Sequence, residues 1–352
     1  MRWPVLVPIV GIAVLALSWG RTEPAVLLGA AAVALGGCVI AAVHHAEVVA
    51  HRVGEPFGSL VLAVAVTVIE VGLIVTLMLG GGPDKATLAR DTVFAALMIT
   101  CNGILGLSLL VAVWRRPVAV FQSEGSRAAL ATIAALATIT LVLPALTQST
   151  QGPTLTTPQL VFASLMCLVL YGLFVFAQTV RHRDYFLPVG DDPDEHAAPP
   201  GRRAAWASGG LLLLSLVAVV GLAKTVSPAL ESAVAEAGLP LGVVGVAIAL
   251  LVLLPETLAA VRAARRQRMQ TAVNLAYGSA IASIGLTIPA IALASVWMQG
   301  PLVLGLPPTG VTLLALTVVL GSLTVIPGRA TLVQGGVHLA VFGAFLVLAF
   351  SP

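Results

Sequence analysis

Long apolar stretches constrain this chain more than any other feature of its sequence. Eleven can be marked, and few charged residues interrupt them. Each is close to the ~20 residues that an α-helix needs to cross the hydrocarbon core of a bilayer. The predicted spans are 3–19, 25–43, 57–80, 92–114, 128–147, 159–180, 206–226, 240–260, 272–297, 309–326 and 332–350.

The composition agrees with a chain whose partner is the lipid bilayer. Of the 352 residues, 59% are hydrophobic and only 9% are charged, against about 25% charged in an ordinary soluble domain. So few charges cannot cover the surface of a soluble domain of this length. The sequence therefore predicts an all-α polytopic membrane protein, and it excludes a soluble enzyme, a nucleic-acid-binding protein and a disordered chain.

The distribution of positive charge predicts an orientation. If the spans alternate in direction, 14 of the 18 Lys and Arg residues lie on the side of the N-terminus. Because cytoplasmic loops carry the excess of Lys and Arg, we expect a protein of the inner (plasma) membrane. Its N-terminus is then cytoplasmic and its C-terminus outside. The first apolar run lacks a convincing cleavage site, so it is interpreted as a retained span.

Two carboxylates, Glu70 and Glu256, lie inside predicted spans. A lone carboxylate in hydrocarbon costs several kcal/mol unless it is neutralised or paired. Each could be a protonated acid bonded to a neighbouring helix, and Glu256 could lie at a helix end beside Arg262. As a pair they favour a function, since two embedded carboxylates can hold a divalent metal ion when ionised and carry protons when neutral.

The surroundings of the two glutamates repeat. The pentapeptides GEPFG (54–58) and GLPLG (238–242) precede them by 12 and 14 residues, and a helix rich in small and polar residues follows each. Six spans precede the loop at 181–205 and five follow it. Glu70 therefore lies in the third span and Glu256 in the eighth, and spans that alternate in direction make these two helices run in opposite directions. Inverted repeats with a site at their interface are an architecture of secondary transporters.

Polar residues near the two acids are candidates to line a cavity and supply the neutral oxygens that hard cations bind. They are Thr67, Thr100, Asn102, Asn274, Ser279 and Ser283. A second group clusters at the predicted cytoplasmic mouth and is either a set of solvated interfacial residues or a proton-collecting vestibule, because His titrates near neutral pH. Its members are His44, His45, Glu47, His51 and Glu55.

The segments around the two acids resemble the two alpha-repeats of the calcium/cation antiporter superfamily. They are HHAEVVAHRVGEPFGSLVLAVAVTVIEVGLI, and LLPETLAAVRAA with the later NLAYGSAIASIGLTIP. The resemblance covers nearly the whole chain and is closest to the bacterial Cha-type calcium/proton antiporters. It implies that Glu70 and Glu256 are the paired ion-binding acids. The wider superfamily has Gly-Asn before each acid, where this chain has Val68-Ile69 and Leu254-Pro255.

The resemblance also implies a division of the chain. An extra N-terminal transmembrane helix (1–20) precedes a first five-helix antiporter repeat (21–180). An acidic cytoplasmic loop (181–205) then leads to a second, inverted five-helix repeat (206–352).

The expected function is a secondary antiporter that exports cytoplasmic Ca²⁺ in exchange for H⁺ by alternating access, with no resident cofactor. Exchange of Na⁺ or K⁺ for H⁺ on the same carboxylates stays open, as does the oligomeric state. Inverted repeats disfavour a channel. An intramembrane enzyme rests only on Ser108 in a Gly-Leu-Ser triplet and on His338. ATP is not indicated, because neither Lys85 nor Lys224 belongs to a P-loop motif.

Overall fold

A computed structural model describes residues 3–20, 25–54, 57–79, 85–114, 116–187, 200–298 and 300–351. In these residues the chain is helical apart from two short strands and the connecting turns. The α-helices are α1 (Trp3–Ser18), α2 (Ala25–Val53), α3 (Phe57–Met78), α4 (Leu88–Met98), α5 (Leu105–Val113), α6 (Ser123–Ala137), α7 (Leu143–Leu146), α8 (Thr157–Phe176), α9 (Arg202–Glu236), α10 (Gly242–Val252), α11 (Leu254–Arg265), α12 (Met269–Ala294), α13 (Pro308–Val325) and α14 (Leu332–Phe350).

Shorter elements join or extend these helices. Three π-helical turns extend the α-helices: one joins α4 to α5, one joins α6 to α7, and one follows the end of α8. They are Ile99–Ile104, Thr138–Val142 and Ala177–Arg181. Two 3₁₀-helices, Arg183–Phe186 and Ser295–Trp297, and two strands, β1 (Ala119–Val120) and β2 (Arg329–Ala330), complete the described elements.

The helices account for the predicted spans. Within the described residues nine helices, counted through their π-helical turns, are long and apolar enough to cross a membrane. The bent pair of α10 and α11 makes a tenth candidate, and α1 is a shorter apolar helix. The all-α polytopic architecture expected from the sequence is confirmed. The loop prediction at 181–205 is corrected in part, because a 3₁₀-helix and the start of α9 lie within it. Residues 188–199 of that loop lie outside the described residues.

The predicted span over 240–260 is wrong as a single helix. The helix ends at Val252, turns by 51° at Leu253 and restarts as α11. Pro255 occupies the first turn of α11, where its missing N–H costs nothing. Because Pro255 has no N–H to donate to the carbonyl of residue 251 in α10, and its ring clashes with that turn, the chain breaks here instead of continuing α10.

The connections gather at two ends of the helix bundle. One end, which we call the arginine-rich end, holds β1 paired antiparallel with β2, the end of α11 and the start of α12. The loops are tied there by a hydrogen bond of 2.6 Å from the Gln122 backbone N–H to the Gln270 side chain. The opposite end holds Lys224, whose Nζ lies 5.5 Å from the centre of the Trp19 ring.

The two halves of the chain pack on each other reciprocally. Helix α3 packs against α12, α10 packs against α4, and α2 lies along α9. The crossing of α10 and α4 is close, because an added Cβ at Gly245 would lie 3.0 Å from the backbone nitrogen of Thr92. The second helix of each half therefore contacts the third helix of the other half.

Candidate functional site

Glu70 lies in the interior of the bundle, halfway along α3. Its side chain is buried, with 3% exposure. The Ser283 hydroxyl lies 2.8 Å and 2.7 Å from its two carboxylate oxygens, and the Thr287 hydroxyl donates to Oε2 at 2.9 Å. Both hydroxyls come from α12, where residues four apart share one face. The contact of α3 with α12 is therefore polar at its centre.

Glu256 lies in the first turn of α11, directly after the break at Leu253. An acid in this position is favoured by the partial positive charge of a helix N-terminus. Its Oε2 atom is buried and has no hydrogen-bond partner. Glu256 lies within electrostatic range of Glu70 and Glu47. The break in the span therefore gives Glu256 a polar backbone environment and leaves one of its oxygens unpartnered.

Both carboxylates line one cavity of about 170 Å³. Its walls come from α3, α4, α8, α10, α11 and α12, so both halves of the chain contribute. The polar residues of the lining are Thr67, Glu70, Tyr171, Gln178, Glu256, Asn274, Ser279 and Ser283. Glu70 and Ser283 are buried, whereas Gln178, Asn274 and Ser279 are half-buried. Gln178 and Asn274 lie towards the arginine-rich ends of their helices. The cavity therefore runs from the buried Glu70, past the half-buried Glu256, towards the arginine-rich end.

Within the described residues, no group of three or more His, Cys, Asp or Glu side chains is arranged to hold a metal ion. The site thus offers two carboxylates with neutral hydroxyl and amide groups.

Two of the sequence candidates, Thr100 and Asn102, do not line this cavity. The Thr100 hydroxyl donates to the Ala96 carbonyl at 2.8 Å. The Asn102 amide donates to Thr317 at 2.9 Å, and its oxygen lies 3.0 Å from Nδ1 of His338. Both residues lie in the π-helical turn at Ile99–Ile104, which directs Asn102 towards α13 and α14.

The predicted vestibule residues do not form one cluster. His45 is buried, with Nε2 2.9 Å from the Pro4 carbonyl of α1, and His44 lies 5.7 Å from the Trp3 ring. These two histidines therefore help to hold α1 against α2. Glu47 and His51 are exposed, and Glu47 interacts electrostatically with Arg262. Glu55 lies outside the described residues.

The serine and histidine of the enzyme alternative do not form a pair. His338 Nδ1 lies 3.0 Å from the Asn102 side-chain oxygen, and Nε2 lies 3.0 Å from the Thr324 hydroxyl. Both ring nitrogens are therefore occupied. The buried Ser108 hydroxyl has no hydrogen-bond partner, so no base activates it.

Sequence reasoning missed Thr287, Tyr171 and Gln178 as residues of the site. The spacing of four between Ser279, Ser283 and Thr287 is the signal that points to Thr287, because such residues form a stripe on one helix face. Gln178 is a polar residue near the end of an otherwise apolar run. Tyr171 carries no comparable signal in the sequence.

Comparison with known proteins shows relatives over almost the whole chain. The sequence profile of the sodium/calcium exchanger protein family matches residues 23–180 and 207–351. The chain is 46% identical to y4hA of Sinorhizobium fredii (strain NBRC 101917 / NGR234), over 99% of this chain and 96% of the relative. It is 32% identical to the sodium-potassium/proton antiporter ChaA of Escherichia coli (strain K12), over 98% and 95% of the two chains.

Solved structures share the fold. The structure of native YfkE superposes with a TM-score of 0.74 at 16% identity, covering 99% of both chains. The H⁺/Ca²⁺ exchanger CAX gives a TM-score of 0.72 at 14% identity, covering 98% of this chain and 86% of that one. The resemblance found in the sequence is thereby confirmed. The chain belongs to the sodium/calcium exchanger protein family, within the calcium/cation antiporter superfamily, and is an integral membrane transporter of inorganic cations, not an enzyme.

Proposed function

We propose that this chain is a cation/proton antiporter in which Glu70 and Glu256 form one site that cation and protons occupy in turn. The observation that carries the proposal is the shared cavity: each half of the chain contributes one carboxylate to it. When ionised, the two carboxylates bind a cation. When neutral, they hold protons, and the same site serves both directions of exchange.

Charge balance favours Ca²⁺ as the cation. One Ca²⁺ neutralises two carboxylates, and so do two protons. A carrier that is neutral in both loaded states avoids moving net charge through a low-dielectric interior, where unbalanced charge is costly. The lining also supplies neutral oxygens, which Ca²⁺ accepts alongside carboxylates in six- to eight-fold coordination. With the predicted orientation, the result is export of cytoplasmic Ca²⁺ in exchange for H⁺.

Exchange of Na⁺ or K⁺ for H⁺ is the second candidate. It is favoured by the E. coli relative, which is named a sodium-potassium/proton antiporter and is 32% identical to this chain. The same carboxylates can serve this exchange if one holds the monovalent ion and the other keeps a proton. The two candidates differ in the charge of the cation and use the same residues.

Two features support alternating access between the repeats over 21–180 and 206–352. The first is the reciprocal packing of α3 on α12 and of α10 on α4. The second is a cavity of about 690 Å³ at the opposite end of the bundle, lined by Phe94 of α4 and Val246 of α10. Ala96 and Ala249, less than one helical turn further along, line the carboxylate cavity. A thin layer therefore separates the two cavities, and a small rearrangement at the α4–α10 crossing would exchange access.

The test is proton flux in liposomes that contain the purified full-length chain and an internal pH dye. Gradients of Ca²⁺, Na⁺ and K⁺ are imposed separately, at equal ionic strength. We expect a Ca²⁺ gradient to drive protons in the opposite direction. Flux driven by Na⁺ or K⁺ alone would select the second candidate, and the absence of flux with all three would overturn antiport.

Substitution of the two glutamates tests whether they form the transport site. Glu70→Gln and Glu256→Gln keep the side-chain shape but can neither release a proton nor balance cation charge, so each is expected to abolish flux. The matched control is Glu124→Gln, an exposed acid whose ion pair with Arg127 spans 3.5 Å. Unchanged flux in either site variant contradicts the assignment of that glutamate.

A further inference from the structure

A groove at the arginine-rich end is not used by the transport site. It lies between the end of α5 and the end of α11, has a volume of about 470 Å³ and is lined by Leu110, Val111, Trp114 and Arg265. Trp114 is 85% exposed. Three apolar side chains and one cation thus share a single opening. We propose that this groove binds an anionic phospholipid, with an acyl chain along Leu110 and Val111 and its phosphate at Arg265.

The turn that follows α11 is fixed in a strained conformation beside this groove. Gln267 has φ of 63°, in the left-handed region that residues other than glycine rarely adopt. Its side-chain amide donates to the Ala112 carbonyl at the end of α5, at 3.0 Å. Strain of this kind persists where surrounding contacts enforce it, and it concentrates at functional sites. The bond holds the end of α11 against α5 and keeps Arg265 in the groove, with Arg266 next to it in sequence.

The charge of the groove fits an anionic headgroup. Arg265 and Arg266 are exposed, and neither forms an ion pair in the described part of the chain. A guanidinium group bonds phosphate oxygens in a bidentate manner. Basic pockets at membrane depth are typical sites for anionic lipid headgroups. The partial negative charge at the end of α11 opposes an anion, so the two arginines must supply the attraction.

The apolar part of the groove selects a lipid over a free phosphate. Trp side chains concentrate at the level of the headgroups, where one edge is wet and the ring is buried in acyl chains. The groove thus combines the charged Arg265, the exposed amphipathic ring of Trp114 and the apolar Leu110 and Val111. A phospholipid likewise combines a charged headgroup, a polar interface and an apolar chain. A soluble phosphate leaves these three side chains without a partner.

Lipid binding here has a consequence for the transport site. The 12-residue helix α11 begins next to Glu256 and ends at Arg265. A lipid that bridges Arg265 and α5 therefore restrains the helix that carries the second carboxylate. The proposal itself depends only on the groove and stands whether or not the chain exchanges protons.

The test measures lipid binding on the purified full-length chain in detergent. Phosphatidylglycerol or phosphatidylcholine is added, and both the thermal unfolding midpoint and the number of lipids retained in native mass spectrometry are recorded. We expect phosphatidylglycerol alone to raise the midpoint. Replacing two arginines near an anionic headgroup should weaken retention in Arg265→Ala/Arg266→Ala by about tenfold or more.

The matched control is Arg202→Ala/Arg203→Ala, which removes the same charge from two exposed arginines at the start of α9. It should bind phosphatidylglycerol like the parent. Equal loss of lipid retention in both variants means non-specific attraction and overturns the site.

Trp114→Ala keeps both arginines and should also weaken retention of phosphatidylglycerol. If glycerol phosphate stabilises the chain as well as the lipid does, the groove has no role. An equal midpoint of all variants in phosphatidylcholine shows that they fold.

Discussion

At the scale of single residues, the two carboxylates differ in how they are held. Glu70 accepts hydrogen bonds from Ser283 and Thr287, whereas Oε2 of Glu256 is buried without a partner. A buried polar atom without a partner carries its full desolvation cost. In the proposed site we therefore expect a cation or a proton to bind first at Glu256, and Glu70 to join once its hydroxyl partners rotate. On this proposal the α12 hydroxyls take part in ion binding through Glu70.

Removing those hydroxyls should weaken cation binding without abolishing exchange. In Ser283→Ala or Thr287→Val the charges remain, but Glu70 loses a donor that orients it. A hydrogen bond to a charged group contributes roughly 1.5–3 kcal/mol, so we expect the apparent KM for the cation to change by about tenfold in each variant. The measurement is initial flux against cation concentration. Thr132→Ala, which removes an exposed hydroxyl that bonds its own helix, is the control. If both variants keep the KM of the parent, these hydroxyls contribute to helix packing and not to cation binding.

Asn102 should matter for stability and leave affinity unchanged. It joins His338 and Thr317 in a buried network that connects the π-helical turn to α13 and α14. Asn102→Ala removes a partner of His338 Nδ1 and a donor to Thr317, whose hydroxyl still donates to the Leu313 carbonyl at 2.7 Å. Loss of buried hydrogen-bond partners of this kind costs roughly 1–3 kcal/mol. We expect a lower unfolding midpoint with an unchanged apparent KM. If Asn102→Ala instead raises the KM and leaves the unfolding midpoint unchanged, Asn102 takes part in ion binding.

The sequence places correctly in the cavity those residues that stand out as acids in apolar runs or that follow the period of a regular helix. Glu70 and Glu256 stand out as acids in apolar runs, and Ser279 and Ser283 follow the period of α12. Asn102 does not line this cavity, because a π-helical turn changes the angular relation between residues on either side of it. A helix that is buried on all sides also offers polar partners on several faces. Its amino-acid pattern therefore cannot say which face meets the cavity.

At the scale of helices, the two glutamate-bearing spans are not equivalent. Helix α3 is continuous through Glu70, whereas the corresponding span of the second half breaks at Leu253 before Pro255. Hydropathy predicted the second span but could not divide it, because both pieces are apolar. Proline is the local signal, and its effect depends on whether neighbouring helices satisfy the freed backbone groups.

The crossing of α10 and α4 should require glycine at position 245. An added Cβ would lie 3.0 Å from both the backbone nitrogen and the hydroxyl of Thr92, so the helices would have to separate. Overpacking of this kind costs roughly 1–3 kcal/mol, and we expect Gly245→Ala to lower the unfolding midpoint. The control is Gly210→Ala in α9, where no atom lies within 4 Å of the added Cβ. Alanine is the better helix former, so this control should be neutral or stabilising.

The same crossing forms part of the layer between the two cavities, so Gly245→Ala should also change the rate of exchange. Kinetics recorded with the cation added from either side separate the two effects. A loss of stability with unchanged rates would show that the crossing is static during transport. Equal midpoints for Gly245→Ala and Gly210→Ala would mean that the neighbouring helices yield easily.

At the scale of the whole molecule, the carboxylate cavity faces one end of the bundle and the larger cavity faces the other. Gln178 lines the first, and the exposed Thr309 lines the second. The charge distribution predicts that the arginine-rich end is cytoplasmic. In a chain without its buried native cysteines, Gln178→Cys should then react with a membrane-impermeant thiol reagent only in everted vesicles. Thr309→Cys should react only in intact cells. The reverse pattern would invert the predicted orientation and, with it, the direction of cation movement.

Coupling between cation and proton is a property of the whole transport cycle. Among the described residues that line the cavity, Glu70 and Glu256 are the only acids, so in the proposed site protons and cation occupy the same two groups. Simple competition follows. Lowering the pH should raise the apparent KM for the cation while the maximal rate changes little, because saturating cation displaces the protons. The measurement is cation uptake into everted vesicles across a pH series at fixed driving force. A maximal rate that falls with pH at constant KM would require a proton site outside the cavity, and the exposed Glu47 and His51 would be the first residues to replace.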